Sequence, residues 1–391
     1  MKITILGAAG KIASGTIRDL ADAPEVKEIV LADLAQFRSV MEERAKNWCH
    51  GKASVVSVDI NDTANLRDNI RGSGAVANCT TYHLNLQVMD ACLAERIHYV
   101  DLGGLFHVAK KQLQLNDQWK QRGITAVLGM GSAPGIVNVM SRYAVDMLDS
   151  VDSIYLRDGI VNLAQMDTPI AIPYALGTLL DEFMMNAFVL ENGELKEVPA
   201  LSGGEVIDFP EPVGTQTVYS TIHSEEITIP ATFKSKGLKH MSFKLALPLD
   251  FENKLKFLVG IGLGDKEAIN VNGASVTPRD FLIELCKKLP RPTTKPDDHK
   301  VLRVDVAGNK NGSKLDIRLE MICHPYRPWE MGTGVHSVGT PVGVVSRLLA
   351  GGEVTEKGAL PAEACIPPKR FFELLGGRNL HASVMVKENL S

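Results

Sequence analysis

Nothing in the 391 residues approaches the run of ~20 apolar residues that a helix needs to cross a bilayer. The N-terminus lacks the apolar length of a signal peptide, so a cytoplasmic protein with no membrane partner is the expectation. The six cysteines, at 49, 79, 92, 286, 323 and 365, contain no CxxC pair, which argues for reduced thiols against a zinc site or a disulfide framework. The ten histidines are equally dispersed, with no HxxxH spacing, and no metal is expected. Positive charge is not in excess. The net charge of −4 offers nothing to track a phosphate backbone, so no nucleic-acid partner is expected. Lys287, Lys288, Arg291 and Lys295 lie among prolines and read as a solvated loop.

What is present begins at the first residues. Lys2 to Leu6 is a short run with β-branched residues at Ile3, Thr4 and Ile5, which reads as a buried strand. It breaks at Gly7-Ala8-Ala9-Gly10-Lys11-Ile12-Ala13 into a helical pattern carried by Ile12, Thr16, Ile17 and Leu20. Strand, glycine turn and helix in that order are the context of a dinucleotide fingerprint, although Ala9 stands where the strict pattern has its second glycine. Gly7 allows the tight turn, Gly10 and the small Ala9 allow close approach of a diphosphate, and the helix start faces it with its amides. The next strand, Glu28 to Ala32, ends in Asp33, placed to take the ribose hydroxyls of an adenosine. An acid there repels a 2′-phosphate, so NAD is expected. Arg38, five residues on, keeps NADP open.

Length sets two domains as the prior. From 1 to about 128 strands alternate with helices, which implies a doubly wound parallel sheet of six strands. Ligands of such sheets sit outside the carboxyl ends of the strands, a rim holding Gly7, Asp33, Asp59, Cys79, Asp101 and the 129–135 loop. Beyond 135 the texture changes to strand-like runs at 153–157, 216–220, 227–229, 242–247, 256–260, 301–306 and 315–321, with a helix inserted at about 174–186. These describe an α+β domain with a largely antiparallel sheet. The last helices, from about 342, read as closing back over the first domain. The expected division is therefore 1–135 with about 342–391 for the dinucleotide, and 136–341 for substrate and dimerisation.

These segments resemble the saccharopine dehydrogenase family over nearly the whole chain. The resemblance is carried by the glycine turn, by Asp33, by Tyr99-Val-Asp101-Leu and by Gly131-Ser-Ala-Pro134-Gly135-Ile-Val-Asn138. Asn192-Gly193-Glu-Leu, Asp208-Phe-Pro-Glu-Pro-Val-Gly214 and Tyr219-Ser-Thr-Ile-His223-Ser-Glu225 are similar to a bacterial branch close to lysine 6-dehydrogenase and carboxynorspermidine dehydrogenase. The Gly-Gly-Leu-Pro segment of saccharopine-forming members is replaced by Asp158-Gly-Ile-Val. The resemblance implies NAD(P)-dependent hydride transfer at an amine or imine carbon of an amino acid or its secondary-amine conjugate, with a lysine- or saccharopine-like substrate, in a homodimer. A dehydrogenase of oxygen-bearing metabolites and a non-catalytic dinucleotide binder stand as alternatives.

For the cofactor the expected contacts are Gly7, Ala9, Gly10, Lys11, Ile12, Asp33 and Asp59, with Asn78, Cys79, Thr80 and Gly131 beside the nicotinamide. For proton transfer His223 is favoured because a histidine titrates near neutrality. Glu225 is its orienting carboxylate, and alternation along a strand would aim Thr221, His223 and Glu225 at one face. Asp101 could balance a cationic amine or only cap the next helix, and Tyr82 could line the pocket.

Overall fold

The computed structural model describes residues 1–164, 168–290 and 294–389; Arg291 of the basic run lies outside them. The first half alternates as the sequence implies. β1 (Lys2–Leu6), α1 (Ala13–Asp22), β2 (Glu28–Asp33), α2 (Arg38–Trp48), β3 (Ala53–Ser57) and α3 (Thr63–Ile70) come first. β4 (Ala75–Asn78), α4 (Asn85–Glu95), β5 (His98–Asp101), α5 (Leu105–Leu113), α6 (Asn116–Arg122) and β6 (Thr125–Leu128) follow. β4 and β6 are buried along their whole length, as parallel strands covered on both faces must be.

The second half opens with α7 (Ile136–Val145) and the long β7 (Ser150–Asn162). Then come α8 (Leu176–Met184), β8 (Ala187–Glu191), β9 (Glu194–Val198), β10 (Glu205–Asp208), β11 (Thr215–Ser220), α9 (Glu225–Phe233) and β12 (His240–Ala246). α10 (Leu249–Gly260), a small hairpin of β13 (Ile269–Val271) and β14 (Ala274–Val276), α11 (Pro278–Lys287), β15 (Asp298–Lys310) and β16 (Ser313–Cys323) complete it. The chain ends with α12 (Thr333–Ala350), β17 (Gly358–Pro361), α13 (Ala362–Cys365), α14 (Pro368–Gly376) and β18 (Ala382–Asn389).

Two main sheets result. The first is parallel, in the order β17-β6-β5-β4-β1-β2-β3, with its switch point between β1 and β4. Its seventh strand comes from the C-terminal segment, tied down just before it by Thr125 Oγ1 donating to Glu356 O at 2.6 Å, 231 residues away in sequence. The second sheet runs β10-β11-β12-β7-β15-β16-β18 with β8 and β9 attached; it is antiparallel except for the β12–β7 pair. Among the described residues no helix is long and apolar enough to cross a membrane.

Two expected strands are helices. Ile227-Thr-Ile lies inside α9, whose first turn carries Glu225 and Glu226 at the positive end of the helix dipole. Lys256 to Gly260 lies inside α10, which starts after Pro248 and is laced by Asp250–Lys254 and Glu252–Lys256 pairs at 2.6 Å. Short apolar runs carry too few residues for periodicity to separate the two states. The C-terminal helix also begins earlier than expected. α12 spans 18 residues and is buried almost all round, because it is clamped between α1 and the sheet.

Candidate functional site

The glycine turn follows β1 and faces the end of β4 across the switch point. Gly7 has φ +71°, and a Cβ there would lie 2.9 Å from the Cys79 carbonyl oxygen, so both conformation and space demand glycine. Gly10 donates its N–H to Gly7 O at 2.9 Å, closing the turn. Gly10 and Lys11 are exposed, and α1 begins without a side-chain cap or an acid in its first turn. An uncapped helix start under an open turn of mostly small residues suits a diphosphate. Asp33, ending β2, accepts Ala9 N–H at 2.9 Å and Leu34 N–H at 2.8 Å. Arg38, the residue that kept NADP open, is turned into an exposed pair with Glu42 at 2.8 Å. Asp59 is exposed and holds Asn61 at 2.9 and 3.1 Å.

The residues expected beside the nicotinamide divide. Asn78 is fully buried: its amide donates to Asn85 Oδ1 at 3.0 Å and Tyr99 Oη at 3.1 Å, and its carbonyl accepts Thr80 Oγ1 at 2.7 Å. The Cys79 thiol faces Thr16 Oγ1 at 3.6 Å, and burial pushes its pKa up to about 12, so it is no nucleophile. Gly131 donates its N–H to Pro134 O at 2.7 Å, inside the 129–135 loop. Asp101 is also buried inside. One oxygen accepts the Gly103 and Gly129 amides at 2.9 and 2.8 Å; the other accepts Tyr99 Oη, Gln112 Nε2 and Asn85 Nδ2 at 2.9, 2.6 and 3.1 Å. Five donors leave it nothing for a substrate, although burial outweighs them and raises its pKa. It ties the ends of β5 and β6.

The second half roofs this rim through the segment after β11. β11 stops at Ser220, residues 221–224 are irregular, and Glu225 opens α9, so strand alternation does not align His223 with Glu225. The helix start does it instead. His223 Nδ1 lies 3.4 Å from Glu225 Oε2, and Nε2 lies 3.6 Å from Glu182 Oε1. The imidazole is stacked on Phe243 at 3.9 Å and is 6% exposed. Burial alone would lower its pKa; Glu225 and Glu182 outweigh burial and raise it to about 10. A Cβ at Gly129 would lie 3.5 Å from Ser224 Oγ, which brings this segment against the 129–135 loop.

Around the imidazole the buried charges are mostly acidic. Glu182 accepts the Tyr174 hydroxyl. Asp158 pairs with Lys300 at 3.2 Å, and burial raises its pKa against that cation. Burial likewise raises Glu226 well above the ordinary range, and takes Glu363 to about 7 although Asn138 Nδ2 donates to it at 2.9 Å. Sequence reasoning missed Glu182, Glu226 and Glu363. The signal was acids inside apolar surroundings, as in Leu179-Leu180-Asp181-Glu182-Phe183, where all five residues are buried.

Tyr82 points elsewhere. Its hydroxyl donates to Asp181 Oδ2 at 2.8 Å, and Asp181 also meets Arg279 and Lys266 at 3.0 and 3.1 Å. Burial first, then Asp181, raises the phenol's pKa. Among the described residues no group of three or more His, Cys, Asp or Glu side chains is arranged to hold a metal ion.

A doubly wound sheet with an open glycine turn, its rim roofed by a buried histidine between two carboxylates, defines a two-domain dinucleotide-binding oxidoreductase. Family models make the assignment finer. Residues 3–127 match the saccharopine dehydrogenase NADP binding domain, and residues 131–380 match the saccharopine dehydrogenase C-terminal domain. The chain belongs to the saccharopine dehydrogenase family.

It is 26% identical to a carboxynorspermidine synthase of Vibrio cholerae, over 80% of this chain and 78% of that protein. A carboxyaminopropylagmatine dehydrogenase of Synechocystis is 23% identical, over 97% and 96%. The fold is also that of apo saccharopine dehydrogenase (L-Glu forming) from Saccharomyces cerevisiae, with a TM-score of 0.76, 14% identity and 99% of both chains covered. The alternatives of an oxygen-level dehydrogenase and a non-catalytic binder find no support in these relatives.

Proposed function

We propose that the protein reduces the C=N bond formed between an amine and a carbonyl compound, using NADH. The observation that carries this reading is the imidazole of His223 held between Glu225 and Glu182 at 3.4 and 3.6 Å. With its pKa at about 10 it is an imidazolium at neutral pH, a proton donor rather than a base. The nicotinamide, when bound, supplies the hydride that the imine carbon accepts. His223 gives the proton that the nitrogen takes up, and the two carboxylates stabilise the charge it carries between turnovers.

The surplus of buried carboxylates over cations supports an amine that enters with positive charge. Among the described residues Asp158 pairs with Lys300, and Glu182 and Glu225 with His223, so three buried carboxylates meet two cations there. The relatives' names, carboxynorspermidine synthase and carboxyaminopropylagmatine dehydrogenase, support a secondary-amine conjugate that also carries a carboxyl group. For the cofactor the turn 7–13 cradles the diphosphate and Asp33 takes the adenosine ribose, which favours NAD over NADP. Asp101 and Asn78 act as positioning residues that hold the rim in shape. The test is NADH oxidation with a panel of amine–aldehyde pairs, diamines and α-amino acids included. Turnover with cationic amines, lost in His223→Ala, is expected; turnover with carbonyl compounds alone would overturn the reading.

A further inference from the structure

The glycine turn is held by a residue that no motif marks. Arg44 reaches it from α2, and its Nη1 donates to Ala8 O at 2.6 Å and to Gly10 O at 2.8 Å. Gly7 O is already taken by Gly10 N–H at 2.9 Å. The carbonyls of residues 7, 8 and 10 are therefore all engaged. The guanidinium itself is steadied over the Trp48 ring, 5.3 Å from its centroid. Asp33 acts on its charge and opposes the downward pull of burial.

A turn that receives a diphosphate must present N–H groups and hide C=O groups. Rotation of a peptide plane would do the reverse, setting a carbonyl oxygen against an anion. A cation donating to two carbonyls opposes that rotation at both peptides. We propose that Arg44 is a positioning residue for diphosphate recognition: by holding the Gly10 carbonyl it keeps the Lys11 N–H aimed at the ligand, and by holding the Ala8 carbonyl it fixes the peptide whose N–H goes to Asp33.

This rests on the reading of residues 7–13 as the diphosphate cradle, and the experiment separates the two. Binding of ADP-ribose and of adenosine to the full chain is measured by calorimetry for wild type, Arg44→Ala and Arg44→Lys, with thermal melting alongside. Loss of a charged hydrogen-bonding group predicts ADP-ribose binding about tenfold weaker in Arg44→Ala. Adenosine, which lacks phosphate, is expected to bind as to wild type. Arg44→Lys keeps the charge without the planar fork and should recover part of the loss. Should the alanine variant fail to fold, the lysine variant carries the test through a smaller loss confined to ADP-ribose.

Equal loss of both ligands would overturn the proposal, since the damage would then lie in the adenosine grip. Unchanged ADP-ribose affinity beside a lowered melting temperature would overturn it too, leaving Arg44 a structural tie only. Wild type that binds no ADP-ribose at all would instead remove the cradle reading on which the proposal stands.

Discussion

At the scale of single residues the decisive balance is at His223, where two carboxylates win over burial. Removing one of them should show it. An opposite charge within a few ångströms moves a pKa by about one to three units, so Glu182→Gln should bring the alkaline limit of imine reduction down by at least about one unit. The measurement is the pH profile of kcat/KM, flat from neutrality to near 10 in the wild type and shortened in the variant. His223→Ala should lower the reductive kcat by about a hundredfold to ten-thousandfold. An unchanged profile in Glu182→Gln would show that the imidazole is not governed by this pair. The same shift sets a stability term. The folded pKa, about 10, is above the ordinary 6.5, so the stabilisation is complete below 6.5 and is lost as pH rises through 10. Denaturant midpoints measured from pH 6 to 11 should fall on that alkaline side, and fall less in His223→Ala. Asp33 belongs to this scale too. Asp33→Ser should weaken NADH while improving NADPH relative to it, because the acid that repels a 2′-phosphate is gone.

At the scale of elements, the start of α1 is the proposed diphosphate site, but α12 decides where α1 lies. The two helices approach through small residues: a Cβ on Gly339 would lie 2.3 Å from Ile12 O, and one on Gly15 2.9 Å from Val335 O. Thr16 Oγ1 donates to Gly339 O at 2.8 Å, and buried Asp19 is held by Arg378 and Arg347 at 2.8 and 3.3 Å. Gly339→Ala should therefore cost about 1–3 kcal/mol of stability as an overpacked contact. Because Ile12 is the N-cap of α1, whose start is the proposed diphosphate site, NADH affinity should fall with it, to be read by fluorescence titration beside a chemical melt. Retained affinity in a folded variant would show that the two helices are not coupled.

This coupling also explains what the sequence made legible. The glycine turn, the acid after β2 and the alternation of strand and helix act locally, through backbone permissiveness and a fixed periodicity. The β17 strand and the length of α12 depend on packing between segments far apart in the chain, and short apolar stretches such as 227–229 look the same in either state. Strand alternation would set His223 and Glu225 on one face; a helix start brings them to 3.4 Å instead. Glu182 and Arg44 carried no motif, since each matters only through a partner that folding supplies.

At the scale of the whole molecule, the two halves meet through two neighbouring contacts. Phe106 stacks on Phe188 with centroids 3.9 Å apart, and Tyr82 donates to Asp181 at 2.8 Å. The sequence suggested Tyr82 as a pocket residue, and its hydroxyl is spent on this clasp. The two roles give different numbers. A group donating a proton in the reaction would cost at least about a hundredfold in kcat when removed. A clasp residue whose partner keeps Arg279 and Lys266 loses one hydrogen bond, about 1 kcal/mol, or roughly fivefold. Tyr82→Phe should therefore raise KM by that smaller factor, leave the alkaline limit near 10 in place, and enlarge the radius of gyration of the ligand-free protein in small-angle scattering. A hundredfold fall in kcat with unchanged dimensions would instead return Tyr82 to the chemistry.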